Sequence, residues 1–295
     1  MRSMKKLKKS KVVLALSGGL DSTVLLHMML NEGYDEIHTL TFDYGQRHKR
    51  EVECALWQID NCKKRYEAVI TNKVIDCSFL RDIATTSSLT NDKIDTPKIR
   101  EIAGDAQPVS YVPFRNMMFL SMCAAYAESV GAEKIVYGVT QVDSLSGYFD
   151  CDQTFVTAIN KVVGLNRKHK IEVVVPMIQM SKADIVKKGV DLGVNFSNTY
   201  TCYSGLDPAD AETPASSMRI KGFLDNNLKD PQQYIQQDKL DKIYTEKNCK
   251  LIPNQEKIEQ AQVQTQQHLQ SAYRKVKFNN GEFGNERDER PPLGG

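Results

Sequence analysis

Tryptophan occurs once in these 295 residues, and aromatic side chains make up only 8% of them. An excess of charge is missing too: 39 Lys and Arg against 37 Asp and Glu leave a formal +2, which gives no reason to invoke nucleic acid as a partner. No apolar run is long enough to cross a membrane. The seven cysteines, Cys54, Cys62, Cys77, Cys123, Cys151, Cys202 and Cys249, include no CxxC pair. In a chain of this size that argues against a disulfide framework and for a reducing, cytoplasmic setting. The basic N-terminus, MRSMKKLKKSK, runs into a short apolar stretch and then straight into glycines and Asp21. It is expected to be a solvated leader, not a targeting signal. No internal repeat is visible.

What is there suits a soluble globular protein: 41% hydrophobic and 26% charged residues. The organising stretch is KVVLALSGGLDSTVLL, residues 11–26. Residues 12–16 form an apolar run rich in β-branched side chains, which predicts a strand buried on both faces. Ser17-Gly18-Gly19 then permits a sharp turn and close approach of a ligand. Asp21 and Ser22 are good helix caps, and Val24, Leu25, Met28 and Met29 continue at helical spacing. Strand, glycine turn and helix N-terminus make an anion site from free backbone N–H groups and the helix dipole. No Gly-Lys-Ser/Thr follows, so this is not the usual nucleotide-triphosphatase loop.

Further along, the pattern predicts strands at 37–42, 66–71, 134–139 and 171–175, and helices at 46–61, 116–132, 154–164 and 182–192, the last opened by a Ser181/Asp184 capping box. Strand–helix alternation predicts an α/β fold with a doubly wound, mostly parallel sheet. Ligands bind such sheets beyond the carboxyl ends of the strands, where the glycine loop and Asp43 both fall. Residues 72–110 are rich in polar and turn residues and are expected to form a substrate-covering flap, ordered on binding. Composition changes after Phe223. The expected organisation is a catalytic domain over residues 1–223 and a polar, partly helical extension over 224–295 with a disordered tail.

SGGLDS at 17–22 resembles the pyrophosphate loop of the ATP pyrophosphatase superfamily, which activates an oxygen by adenylation. Three more stretches sharpen this: FDYGQRH at 42–48, YVPFRN at 111–116 and SGYFDC at 146–151. Together, and in this order, they resemble the 7-cyano-7-deazaguanine synthase family, as do PMIQMSKADIVKKGVDLGV at 176–194 and Thr201-Cys202-Tyr203. The resemblance covers residues 11–223. It implies an adenine nucleotide alpha hydrolase-like fold, ATP and Mg²⁺, and conversion of 7-carboxy-7-deazaguanine and ammonia to the nitrile. A homodimer is compatible with this reading. No nucleic acid or membrane is expected as a partner.

Ser17, Gly18, Gly19 and Ser22 are expected to hold pyrophosphate, with Leu16, Leu20 and Thr23 flanking them in the nucleotide-binding set. Asp21 would help place Mg²⁺ or simply cap the helix. Asp43 would lie near the nucleotide or its metal, or be a turn aspartate. Arg47 and His48 sit at a helix start, where the dipole does not favour a cation, which suggests ligand contacts. Arg115 suits phosphate or carboxylate through its planar fork. Lys182 would reach phosphate. Asn116 would touch ligand or cap a helix, and Tyr111 belongs to the same substrate-binding stretch. Tyr148, Asp150 and Asp143 would read the deazaguanine by stacking and by accepting from its amine and ring N–H.

The chain departs from the family where the resemblance implies a zinc held by four cysteines. Cys202 matches the first position, but the other three fall on Asp210, Thr213 and Ser216. One thiolate with one carboxylate makes a poor structural zinc site, so zinc is not expected. Asp152 stands where the family often has arginine. Three other functions compete. One is a variant that stops at the amide or passes the activated deazaguanine to another acceptor. A second, an RNA thiolase, would need catalytic cysteines and a basic face. The third is a non-catalytic nucleotide-binding module.

Overall fold

The computed structural model describes residues 11–45, 50–98 and 107–252. Five strands form one all-parallel sheet in the order β3-β2-β1-β4-β5. They are β1 (Lys11–Ala15), β2 (Glu36–Asp43), β3 (Val69–Asp76), β4 (Lys134–Val136) and β5 (Glu172–Val174). Helices α1 (Leu20–Asn31) and α2 (Arg50–Arg65) follow β1 and β2. A short α3 (Leu80–Ile83) and the long α4 (Arg115–Val130) join β3 to β4. Then come α5 (Gln141–Leu145), α6 (Gln153–Val163), α7 (Lys182–Asp191), α8 (Pro214–Asp225) and α9 (Gln237–Glu246).

β1 is central. Val12, Val13 and Leu14 have no exposed surface. Val13 packs with Phe119, Leu120, Cys123 and Ala127 of α4, and with Ile159 of α6, in the core on one face. Side chains alternate along a strand, so Val12 and Leu14 face the other layer, where α1 and α7 lie against each other. The doubly wound sheet follows from this split.

α2 runs on to Arg65 past the predicted 61, β4 ends at Val136 short of the predicted 139, and β3 and the expected flap depart further. β3 runs to Asp76 and begins at Val69, where the sequence predicts 66–71. It pairs in register with β2 from Glu36↔Val69 to Asp43↔Asp76. As an edge strand it tolerates polar residues, and Asn72 Oδ1 accepts from the hydroxyls of Thr39 (2.7 Å) and Thr41 (3.2 Å). Much of the stretch expected to form a flap is folded: Leu80, Ala84, Ser87, Ser88, Leu89 and Thr90 are buried. The Gln46–His48 part of the predicted helix, the basic leader and the residues from 253 onward lie outside the described residues.

The described residues up to Leu251 belong to one compact unit. Within it, the chain beyond Phe223 packs into a core of its own with Tyr200, Cys202, Ile220, Tyr234, Leu240 and Tyr244. Buried Arg219 and Asp230 form an ion pair there, Nε to Oδ2 at 2.8 Å. Among the described residues no helix is long and apolar enough to cross a membrane.

Candidate active site

The glycine loop leaves the end of β1 at the switch point of the sheet, where β2 and β4 lie on opposite sides. Gly18 has φ +88°, and a Cβ there would lie 2.0 Å from the Glu51 carbonyl oxygen and 2.6 Å from Ala55 N. Only glycine lets the loop press against the first turn of α2 in this way. Gly19, not Asp21 or Ser22, is the N-cap of α1. Its extended backbone already opens the helix, so both side chains sit within the first turn. Ser22 Oγ accepts from Ser17 N (3.2 Å) and meets Ser17 Oγ at 3.0 Å, while Gly19 N donates to Ser17 Oγ at 3.2 Å.

The segment after α7 clasps the loop from the far side. Tyr200 N donates to Gly18 O (3.2 Å), and Leu20 N donates to Thr201 Oγ1 (3.4 Å). Arg219 steadies that segment through Thr199 Oγ1 (2.8 Å) and Thr201 Oγ1 (3.4 Å). Gln232 Oε1 accepts from Thr201 N at 2.9 Å.

A cavity of about 220 Å³ opens over the loop. Of the residues expected from sequence, Leu16, Ser17, Gly19, Leu20, Asp21, Ser22, Arg115, Asn116 and Asp143 line it. Gly18 is buried behind it, and Thr23 is buried in α1. Lys182 stands outside the lining but grips Asp21, with Nζ at 2.6 and 2.7 Å from the two carboxylate oxygens. Asp43 closes its own turn by accepting from Gly45 N at 3.2 Å and does not line the cavity. Tyr111, Tyr148 and Asp150 form a neighbouring group. The Tyr111 and Tyr148 rings lie 6.4 Å apart, Tyr148 Oη meets Ser110 Oγ at 2.7 Å, and Asp150 is buried. Arg47 and His48 lie outside the described residues.

Arg115 enters the cavity from the first turn of α4, over the Tyr44 ring at 5.6 Å. Burial opposes its charge, but the oxygens of Tyr44, Tyr137, Tyr203 and Asp150 hold the guanidinium firmly protonated. Asn116 is not a cap; Phe114 holds that position in a left-handed conformation. Asn116 Nδ2 instead donates to Asp150 O (3.4 Å) and Cys151 Sγ (3.2 Å), tying α4 to the 3-10 turn at Phe149–Cys151. Asp143 Oδ2 accepts from Thr140 N at 2.9 Å and caps α5. Burial raises its pKa; Lys182 opposes this and Asp21 adds to it.

Sequence reasoning passed over Glu51, Tyr137, Tyr200 and the wall residue Phe119, which also line the cavity, as do Phe42 and Tyr44 of the FDYGQRH stretch. Burial pushes the Glu51 carboxyl up to about 7, against the pull of Arg115. The FDYGQRH stretch ends three residues short of Glu51, and that proximity was the only available signal.

The site fits a nucleotide's phosphates: hydroxyls and first-turn N–H groups converge on one glycine turn. Asp21 and Asp143 offer the oxygen ligands Mg²⁺ prefers beside phosphate. The donor set around Cys202 does not fit zinc. Its Sγ lies 3.0 Å from Ser204 Oγ, 3.7 Å from Thr213 Oγ1 and 3.8 Å from Asp210 O. Thr213 Oγ1 meets Ser216 Oγ at 2.9 Å, and Ser216 Oγ donates to Thr201 O at 3.1 Å. The positions matching the family's ligands do meet in space, but they satisfy one another as hydrogen-bond partners, with a single sulfur among them. Burial works against the thiolate, yet bonds from Ser204 and Ser216 hold the Cys202 thiol below its usual pKa.

A family model described as queuosine biosynthesis protein QueC matches residues 11–227. A relative from Clostridium kluyveri, named 7-cyano-7-deazaguanine synthase, is 37% identical over 230 residues, covering 76% of this chain and 97% of the relative. One from Oceanobacillus iheyensis with the same name is 40% identical over 229 residues, covering 76% and 98%. Among solved structures, an NMN synthetase from Francisella tularensis is similar at 14% identity and a TM-score of 0.43, over 76% of this chain and 80% of that one.

Proposed function

Because the chain belongs to the QueC family of queuosine biosynthesis proteins, we propose that it is an ATP-dependent ligase making 7-cyano-7-deazaguanine from 7-carboxy-7-deazaguanine and ammonia. One observation carries the reading. The pyrophosphate loop, Asp21 with Lys182, and Arg115 converge on a single cavity at the switch point of the sheet.

A carboxylate is a poor electrophile, because ammonia cannot expel oxide from it. Attack of the carboxylate oxygen on the α-phosphate of ATP expels pyrophosphate and leaves an acyl adenylate. Ammonia then adds to the acyl carbon, the C–O bond to AMP breaks, and the amide results. A second adenylation, on the amide oxygen, lets the nitrogen lose its protons as AMP departs, leaving the nitrile. In this scheme Ser17, Ser22 and the first-turn N–H groups of α1 hold the departing pyrophosphate. Asp21 and Asp143 would hold Mg²⁺, which neutralises phosphate charge. Lys182 positions Asp21. Arg115 neutralises the substrate carboxylate or the α-phosphate. Catalysis of this kind rests on positioning and charge neutralisation. Tyr148 and Asp150 flank the cavity where a flat bicyclic base is to be read.

The test is incubation with ATP, Mg²⁺, ammonium and 7-carboxy-7-deazaguanine, followed by mass spectrometry. Nitrile is the expected product. Amide alone would mean that the reaction stops after the first adenylation, and no substrate-dependent AMP would overturn the reading.

A further inference from the structure

We propose that the Glu51 carboxylate is the ammonium site of this cavity: it receives the ammonium ion and takes the proton that frees ammonia for attack. The inference rests on the ligase reading above and adds the group that prepares the nucleophile.

The geometry comes first. Glu51 lies in the first turn of α2, and its backbone is pressed directly against Gly18 of the pyrophosphate loop. Glu51, half-buried, lines the same cavity as Ser17, Asp21 and Arg115, and its carboxyl lies within reach of the Arg115 charge. Tyr44 and Tyr200, which interact with its carboxyl, line the cavity beside it. A carboxylate beside aromatic faces suits a small cation, through charge and through the ring quadrupole. A nucleophile entering there is next to the loop that holds the leaving group.

The chemistry asks for such a group. Ammonium has no lone pair, and near neutral pH it is the dominant form of ammonia. An acceptor matched to the working pH is the most effective one. The charged and titratable groups that interact with Glu51 are Arg115 from α4, Tyr44 after β2, Tyr200 from the clasping segment and Cys54 on its own helix. Of these, Arg115 opposes the effect of burial on Glu51, and the balance leaves the carboxyl at about 7. The balance of the step is simple. Ammonium gives one proton to the carboxylate, and the ammonia lone pair forms the C–N bond as the bond to AMP breaks. The surplus proton on nitrogen passes to water, and the Glu51 carboxyl reionises.

The experiment compares the full-length wild type with Glu51→Gln, using ammonium and hydroxylamine, whose nitrogen is largely unprotonated at neutral pH. Glu51→Gln should lower kcat/KM for ammonium by about 100-fold or more, while hydroxylamine, forming the hydroxamate, recovers most of the rate. Equal slowing with both nucleophiles would overturn the inference, as would no slowing with either. The wild type alone provides a second arm. Its kcat/KM for total ammonia should level off above about pH 7. A rise of about tenfold per pH unit that continues well past pH 7 toward the ammonium ion's own, higher pKa would overturn it. If the wild type forms no substrate-dependent AMP, the parent reading falls and takes this one with it. AMP formation with equal slowing sinks the Glu51 assignment alone.

Discussion

Replacing Asp230 by Asn keeps the shape of the side chain and removes its charge. Neither Asp230 nor Arg219 exposes any side-chain surface. Oδ1 accepts from Arg219 Nη2 (3.0 Å) and Gln232 N (3.0 Å). Oδ2 accepts from Arg219 Nε (2.8 Å) and the Tyr234 hydroxyl (2.7 Å). An amide keeps one acceptor oxygen, so either orientation turns an NH₂ group toward a donor and leaves the guanidinium uncompensated. Breaking a buried pair by removing one partner costs about 3–5 kcal/mol, a large share of a typical stability of about 5–15 kcal/mol. With a urea dependence near the upper end of the usual range for a chain of this size, about 3 kcal/mol per molar, the midpoint should fall by roughly 1–2 M, measured by circular dichroism. The damage should reach the active site, because Arg219 Nη1 also holds Thr199 and Thr201, and Thr201 holds Leu20 of the loop. The KM for ATP should therefore rise in whatever fraction stays folded. The double change Arg219→Met, Asp230→Leu should recover much of the stability, since apolar pairs of similar volume replace buried ion pairs well. A cost below about 1 kcal/mol for Asp230→Asn would refute the reasoning. So would a double variant as unstable as the two single variants combined.

Gly18→Ala should displace the loop, because the new Cβ would meet Glu51 O at 2.0 Å in a left-handed backbone conformation. The backbone strain alone is worth about 1–3 kcal/mol; AMP formation should fall at least as steeply as thermal stability, and an unaltered KM for ATP would count against the placement. Glu51 links stability to pH. Its native pKa of about 7 stands above the ordinary 4.5, so its contribution is fully present below 4.5 and lost as pH rises through about 7. At about 1.4 kcal/mol per unit the swing is up to roughly 3 kcal/mol. Glu51→Gln should therefore gain on the wild type between pH 4 and pH 8 in urea titrations, and a flat difference would show the carboxyl to be unperturbed. Exhaustive dialysis against a strong chelator should leave the melting temperature unchanged; one tightly held zinc per chain in a metal analysis would contradict the hydrogen-bonded reading of the Cys202 cluster.

The glycine loop was legible because its whole logic is local: a β-branched strand, a turn and a helix start within sixteen residues. Arg115, Asn116 and Asp143 were legible only as parts of short distant stretches, and the sheet brings them to one cavity. Glu51 was not. In sequence it is an ordinary acidic residue in the first turn of a helix, where the dipole favours it. Only the close contact with Gly18 shows that this turn borders the cavity. The full extent of β3 was hidden because Asn72 and Lys73 pair in register where packing, not propensity, decides. Asp21 reads as a cap, yet Gly19 serves without any side chain, which leaves the carboxylate to Lys182.

The central place of β1 has a dynamic consequence. Val12 and Leu14 are laddered on both sides and Val12, Val13 and Leu14 lack any exposure, so their amides should exchange with solvent only on global unfolding. Residues 107–114 and 140–152 are loops and short helices outside the sheet, joined to each other by bonds such as Ser110 to Tyr148. Segments of that kind open at lower cost than the sheet. The glycine loop therefore leaves the most protected strand of the sheet, and hydrogen exchange should be slow at its base and faster in the loops beyond it.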